Sequence, residues 1–386
     1  MRSRHPLPVF FTFLAALALV ATSSALPDTA RADGLDSFDQ DHGYSPRWKR
    51  SHRHRGSAPF QFALIGDTRY NDEGDTHFGP MRDEINRDAK LQWVLHVGDI
   101  LGGTPCSDEL HVERLASFQD FELPLVYTPG DNEWADCHYS FLGSYYPLER
   151  LAKVRETFFS VPGLTLGSHP MLVETQAYQP GFQQYVENVR WVRSGVVFVT
   201  VHMIGSDNGL APWNRNFGNG VFDPNDTVAN PRPDRIAEVN ERISAALSWI
   251  DQAFALAERI DSPGVFILSH ANPGFVTRFE TAPTGPGFID WVSAIRKHAV
   301  NFERPVVLAH GDTHSARVDK PLTAPTVPVD PPAPNPALVE NFTRVETFGF
   351  PDTHWIRVSV DPNSDGVFTF EFEIVDENRR EFLPIE

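Results

Sequence analysis

The chain has 386 residues with 41% hydrophobic and 12% aromatic content, enough for one large domain or two small ones. Its net charge of −18 argues against nucleic acid as a partner, because phosphate-backbone binding needs a basic face. A small phosphate ester stays open as a partner, since local cations can hold one, and 29 Phe against 4 Met suggest a firmly packed interior.

The N-terminus reads as a targeting segment. Arg2 and Arg4 precede an apolar run over 9–20, and Ser23 and Ala25 stand at the small-x-small spacing of a signal peptidase site. The expectation is a signal peptide over 1–25 and export to the periplasm or the extracellular space, with an uncleaved anchor as the alternative. Nothing later approaches about 20 consecutive apolar residues, so no membrane span is expected after cleavage. Residues 26–57, with the basic run 47–55, read as a disordered, solvated linker.

The folded domain is expected over 58–386. It opens with FQFALIGD, where apolar residues stop at Gly66-Asp67, as a buried strand does when it delivers a carboxylate to a sheet edge. A helix is expected over 81–90, with Met81, Ile85 and Ala89 at helical spacing, then a strand over 93–97 ending in Gly98-Asp99. A helix over 109–117, a strand over 124–128 leading to Gly130-Asp131, and a helix over 147–157 follow. This alternation implies an α/β arrangement with a largely buried sheet.

Strand patterns appear over 184–192 and 196–201. The stretch 206–235 is rich in Asn, Asp, Gly and Pro and reads as a lid or an insert. The strongest helix spans 237–259, with its apolar residues largely on one face. A strand ends at His270, a helix covers 288–298, and a further strand ends at His310 before Asp312 and His314. The Pro-rich 320–336 reads as a surface loop. Strands over 341–347, 353–360 and 367–374 close the chain, with Asp365-Gly366 as the turn between the last two.

Five apolar runs therefore finish in Asp or His, which points to a metal centre at one sheet edge. Divalent ions take hard oxygens and imidazole nitrogens held rigidly, and a Gly beside each Asp permits close approach. The two cysteines, Cys106 and Cys137, each lie just beyond a Gly-Asp strand end. They form a disulfide if those loops meet in an oxidising compartment, and otherwise remain two free thiols.

Taken in order, Gly66-Asp67-Thr68-Arg69, Gly98-Asp99, Gly130-Asp131-Asn132-Glu133, His270 and Gly311-Asp312-Thr313-His314 resemble the motifs of the calcineurin-like metallophosphoesterase family. The resemblance covers roughly 58–318. It implies a metallophosphoesterase-type β-sandwich flanked by helices, here with C-terminal β additions, and a metal site at the sheet edges. It also implies hydrolysis of a small-molecule phosphate ester, in which metals lower the pKa of the attacking water. One ion would sit among Asp67, Asp99 and His314, the other among Asp99, Asp131, His270 and Asp312. One or two divalent ions are expected (Mn, Mg, Ca, Zn or Fe), and the carboxylate-rich set favours the first three.

Three positions depart from the family pattern. Arg69 stands where the family carries a metal-binding His, and a guanidinium cannot ligate a cation. It is expected either to neutralise Asp67 and Asp99 in place of a metal or to grip a phosphate oxygen. Asn132 replaces a His that assists the leaving group, and Asp312 replaces the first His of the last motif. His202 or His138 is the candidate to take over protonation, with a structural role as the alternative for each. His96 reads as a core histidine. These departures leave a second expectation open, that of a binding or structural module that has lost hydrolysis.

Overall fold

Alternation along the first strand sets the layers. In the computed structural model, which describes residues 57–214, 223–275, 284–324 and 337–379, strand β1 (Phe60–Ile65) turns Phe60, Phe62 and Leu64 to one side and Ala63 and Ile65 to the other. The expected signal peptide, all but the last residue of the expected linker, residues 215–222 of the stretch read as a lid or an insert and residues 325–336 of the Pro-rich segment lie outside the described residues.

Strands β2 (Leu91–His96) and β3 (Leu125–Tyr127) run parallel to β1. Strand β4 (Glu174–Thr175) begins the second sheet, with β5 (Val189–Arg193), β6 (Val196–Thr200), β7 (Val265–Leu268), β8 (Val306–His310), β9 (Arg317–Asp319) and β10 (Phe342–Glu346). Strands β11 (Trp355–Val360) and β12 (Phe368–Glu373) return to the first. The five-stranded sheet has the order β12-β11-β1-β2-β3, and the seven-stranded sheet β4-β5-β6-β7-β8-β10-β9. In the second, β6, β7, β8 and β10 are parallel, with antiparallel strands at both edges.

The sheets stack through a buried layer in which Phe62, Trp93 and Leu95 meet Phe198, Phe266 and Leu268. Helices α1 (Asp72–Arg87), α2 (Asp108–Gln119) and α3 (Pro147–Phe158) cover the outer face of the first sheet through Met81, Ile85, Phe118 and Val154. Helices α4 (Pro233–Arg259) and α5 (Ile289–Phe302) cover the second through Trp249, Ala253, Trp291 and Ile295. This is the expected arrangement of two mixed sheets flanked by helices. Among the described residues no helix is long and apolar enough to cross a membrane.

Local chemistry explains where the elements start. Ser107 caps α2 by accepting from Leu110 N at 3.2 Å, and Pro147 opens α3 where its missing N–H costs nothing. Helix α1 begins nine residues before the expected 81, because Asn71 caps it by accepting from Gly74 N at 3.0 Å. Gly74, Gly79 and Pro80 had hidden that helix from a periodicity reading. The expected strand over 184–192 is reduced to β5, with turns before it. Strand β11 pairs Val360 with Phe368, so residues 361–367 form the connection to β12 instead of a two-residue Asp365-Gly366 turn.

A disulfide joins Cys106 to Cys137, with Cα atoms 5.8 Å apart. It ties the loop after β2 to the loop after β3, and both loops carry candidate ligands.

Candidate metal centre

Parallel strands of both sheets present their carboxyl ends at one edge, the place where open α/β sheets bind ligands. Asp67 follows β1, Asp99 follows β2, Asp131 follows β3, His270 follows β7, and Asp312 and His314 follow β8. The donor atoms of Asp67, Asp99 and His270 lie within 4.8 Å of one another, as do those of Asp131, His270 and Asp312. His270 therefore sits at the centre, with its Nε2 3.3 Å from Asp99 Oδ1 and 3.3 Å from Asp131 Oδ1. On the open side, His314 Nε2 lies 3.6 Å from Asp67 Oδ1. All six predicted ligands converge.

The second nitrogen of each histidine fixes its tautomer. His270 Nδ1 is 3.0 Å from the Val97 carbonyl and His314 Nδ1 is 2.6 Å from the Phe350 carbonyl, so both Nδ1 atoms carry the proton and donate. With Nδ1 committed in this way, each Nε2 is the atom that a bound cation would take, the arrangement of a metal-binding imidazole. His270 Nε2 is buried and makes no hydrogen bond of its own.

Glycines let the ligands crowd together. A Cβ on Gly130 would lie 2.0 Å from Asp99 Oδ1, on Gly311 1.9 Å from Asp67 Oδ2, on Gly205 2.5 Å from Asp131 Oδ2, and on Gly349 2.5 Å from the His314 ring. Asp67, Asp99, Asp312 and His314 all have positive φ, between 50° and 77°. Left-handed backbone at non-glycine residues is uncommon and clusters at functional sites.

The electrostatics fit a cation. Burial raises Asp67, and burial with repulsion from Asp131 and Glu133 holds Asp99 well above the usual carboxylate range. Burial, with Asp131 and Asp67 nearby, pushes Asp312 up to about 7 against the pull of His270. Asp131 is lowered despite burial, because it lies against His270. Burial opposes charge on His270, yet Asp99 and the other carboxylates override it and hold the imidazole well above its ordinary range. Four carboxylates share one central imidazole, a set that divalent ions would neutralise.

The other predicted residues are placed elsewhere. Arg69, at φ 68°, turns away from the cluster, with Nη2 2.6 Å from Glu113 Oε1, Nη1 donating to Ser117 Oγ, and its guanidinium over the Phe78 ring. It neither stands in a metal position nor faces the cluster. Asn132 donates from Nδ2 to the Leu101 carbonyl at 2.9 Å, and only its backbone N–H reaches the cluster, at 3.2 Å from Asp99 Oδ1. His202 is fully buried between Glu187, 2.8 Å from its Nδ1, and Trp134. His138 is buried with Nδ1 on the Ala135 carbonyl, and His96 is a core histidine accepting from Gly98 N. None of these side chains is positioned to protonate a leaving group at the cluster.

Sequence reading missed three contributors. Tyr70 Oη donates to Asp99 Oδ2 at 2.8 Å and lies 3.1 Å from His314 Nε2; burial and the adjacent carboxylates hold this phenol well above its usual range. Glu133, buried, accepts from Ile100 N, Tyr127 Oη and Gly130 N and so fastens the β2 and β3 loops together. Thr347, after β10, donates to Asp67 Oδ2 at 3.1 Å. Only Glu133 carried a signal, as the acid closing the third motif.

No protein-family model matches the chain, and no curated protein matches it. Among solved structures, GAP50, the anchor in the inner membrane complex of Plasmodium, matches with a TM-score of 0.44 and 8% identity, over 84% of this chain and 87% of that one. A putative 5'-nucleotidase from Staphylococcus aureus, solved in complex with alpha-ketoglutarate, matches with a TM-score of 0.41 and 10% identity, over 85% of this chain and 56% of that one. The chain thus spans little more than half of the nucleotidase. The chemistry proposed for the site rests on the geometry above.

Proposed function

We propose that the chain is an exported, metal-dependent phosphoesterase acting on a small phosphate ester. The observation that carries this reading is the convergence of Asp67, Asp99, Asp131, His270 and Asp312 at one edge, with His270 Nε2 3.3 Å from two carboxylates and His314 Nε2 beside them, 3.6 Å from Asp67 Oδ1. Asp67, Asp99 and His314 would hold one cation, and Asp99, Asp131, His270 and Asp312 the other. Bound divalent ions supply a water of lowered pKa and neutralise charge on the phosphoryl oxygens. The chain's own residues fix the frame: Val97 and Phe350 carbonyls orient the imidazoles, and Asn132 N, Thr347 Oγ1 and Asp312 N hold the carboxylates. Export is supported by the N-terminal segment and by the Cys106–Cys137 disulfide, a bond that persists in oxidising compartments.

A second reading, cation binding without hydrolysis, is favoured by one observation. The Asn132 side chain is committed to Leu101, and among the described residues no other imidazole is placed at the cluster to donate a proton in its stead. Loss of a positioned general acid costs roughly 10²–10⁴-fold, so substrates with good leaving groups should be turned over first. The test is metal content by elemental analysis together with hydrolysis of mono- and diesters bearing good and poor leaving groups. Activity lost in Asp99→Ala supports the enzyme, and unchanged activity in that variant overturns it. Bound metal with no turnover of any ester supports the second reading.

A further inference from the structure

Resting on the metal-site reading above, we infer that Tyr70 is a ligand of the cation held by Asp67, Asp99 and His314, replacing by one residue's shift the histidine that the motif lacks at Arg69. The left-handed backbone at Asp67 and Arg69 rotates the Arg69 side chain out to Glu113 and swings the next side chain inward. The phenol oxygen arrives 2.8 Å from Asp99 Oδ2 and 3.1 Å from His314 Nε2, and so lies between two of the donors proposed for that cation.

The ring is held there on several sides. It stacks on Phe350 with centroids 5.9 Å apart and an interplanar angle of 22°, and meets His314 edge-on at 5.2 Å. Against it lies Gly102, where a Cβ would come 2.5 Å from the ring. A phenol so fixed, with its oxygen pointing into a set of hard donors, is preorganised for a hard cation. On ligation the O–H bond breaks, the proton passes to bulk solvent, and the oxygen lone pair is shared with the cation.

The experiment loads the full chain with Mn²⁺ or Fe³⁺, counts metal per chain by elemental analysis, and records the visible spectrum of the Fe³⁺ form. Ferric ion bound by a tyrosine oxygen absorbs in the visible by charge transfer, whereas ferric ion on carboxylate and imidazole alone does not. The expected result is a coloured wild-type protein, a colourless Tyr70→Phe variant with at least about tenfold weaker binding at one site, and a Tyr70→His variant that is colourless but regains the metal count. Thermal unfolding of the metal-free forms confirms that both variants fold. Fe³⁺ bound by wild type without the band, or a band that persists in Tyr70→Phe, overturns this inference while leaving the metal centre intact. A wild-type protein that binds no metal overturns both.

Discussion

Gly130 offers the sharpest test of the cluster, because an alanine there acts on Asp99 without touching its chemistry. The added Cβ would lie 2.0 Å from Asp99 Oδ1 and 2.8 Å from Asp99 N, where contacts below 3.0 Å do not occur. The carboxylate must therefore retreat by about 1 Å, which is 3.0 less 2.0. Metal–ligand distances keep to their standard values within about 0.2 Å, so that retreat takes Oδ1 out of bonding range unless the side chain re-aims. Perturbing the support of a ligand usually costs about 10–100-fold in metal affinity, and Gly130→Ala is expected at or beyond the upper end of that range. The metal-free protein should lose about 1–3 kcal/mol through overpacking, which leaves it folded. Gly79→Ala is the control: it lies within α1 with nothing within 4 Å of its Cβ, so it should bind metal normally and gain up to about 1 kcal/mol. Isothermal titration with Mn²⁺ on dialysed protein reads the affinity, and elemental analysis reads the count. Full metal content with undiminished affinity in Gly130→Ala would refute the placement of Asp99 as a ligand.

Three further outcomes follow from the same geometry. Asp312 has a folded pKa of about 7 against 3.8 unfolded, so the stability it contributes is fully present below its unfolded value and lost as pH rises through about 7. In chelator, wild type should lose melting temperature relative to Asp312→Asn between about pH 4 and pH 7, and saturating Mn²⁺ should reverse the order; parallel curves would contradict the burial argument. The Cys106–Cys137 bond spans a sequence separation of 31, so removing it should cost about 4 kcal/mol in urea unfolding; a loss under about 1 kcal/mol would mean the two loops are held by Glu133 without it. Glu187 is fully buried between Arg155 and His202 and held down to about 2. Its replacement by Ala should cost about 3–5 kcal/mol yet leave the metal count unchanged, whereas loss of metal would draw His202 into the site.

The ligand set was legible because its signals are local. Each strand announces itself by period or apolar run, and each stops at a Gly-Asp pair or a His within two or three residues. The sandwich was legible from the alternation of strands and helices together with the motif order. What was hidden depends on distant partners or on backbone conformation. The fate of Arg69 is decided by Glu113 and Ser117, 44 and 48 residues away, and by a positive φ that no residue type at that position advertises. Tyr70 enters the cluster for the same reason. His202 looked like a site residue because it follows a strand, but the neighbours that claim it, Glu187 and Trp134, come from other parts of the chain. Strands β4 and β9, of two and three residues, are too short to show a period at all.

The cluster works against the stability of its own fold in two separate ways. Four of its six candidate ligands sit in left-handed backbone, each at a cost on the order of 1–3 kcal/mol, and three carboxylates, two of them buried and one half-buried, are raised in pKa by desolvation. A cation offsets the second cost and not the first. The backbone term must be met by the frame, and the hydrogen bonds that meet it run between strand ends: Asp67 N to Gly98 O at 2.9 Å, Thr68 N to Asp99 O at 3.1 Å, Gly311 N to His270 O at 2.9 Å, and Phe350 N to Asp67 O at 2.7 Å. The His270 Nδ1 bond to Val97 O crosses from the second sheet to the first. The ligands are therefore fixed by the packing of the two sheets, before any ion arrives, and their spacing is a property of the sandwich. A frame set in this way does not hang on any single donor, so the cluster keeps its spacing although the Arg69 side chain turns away from it.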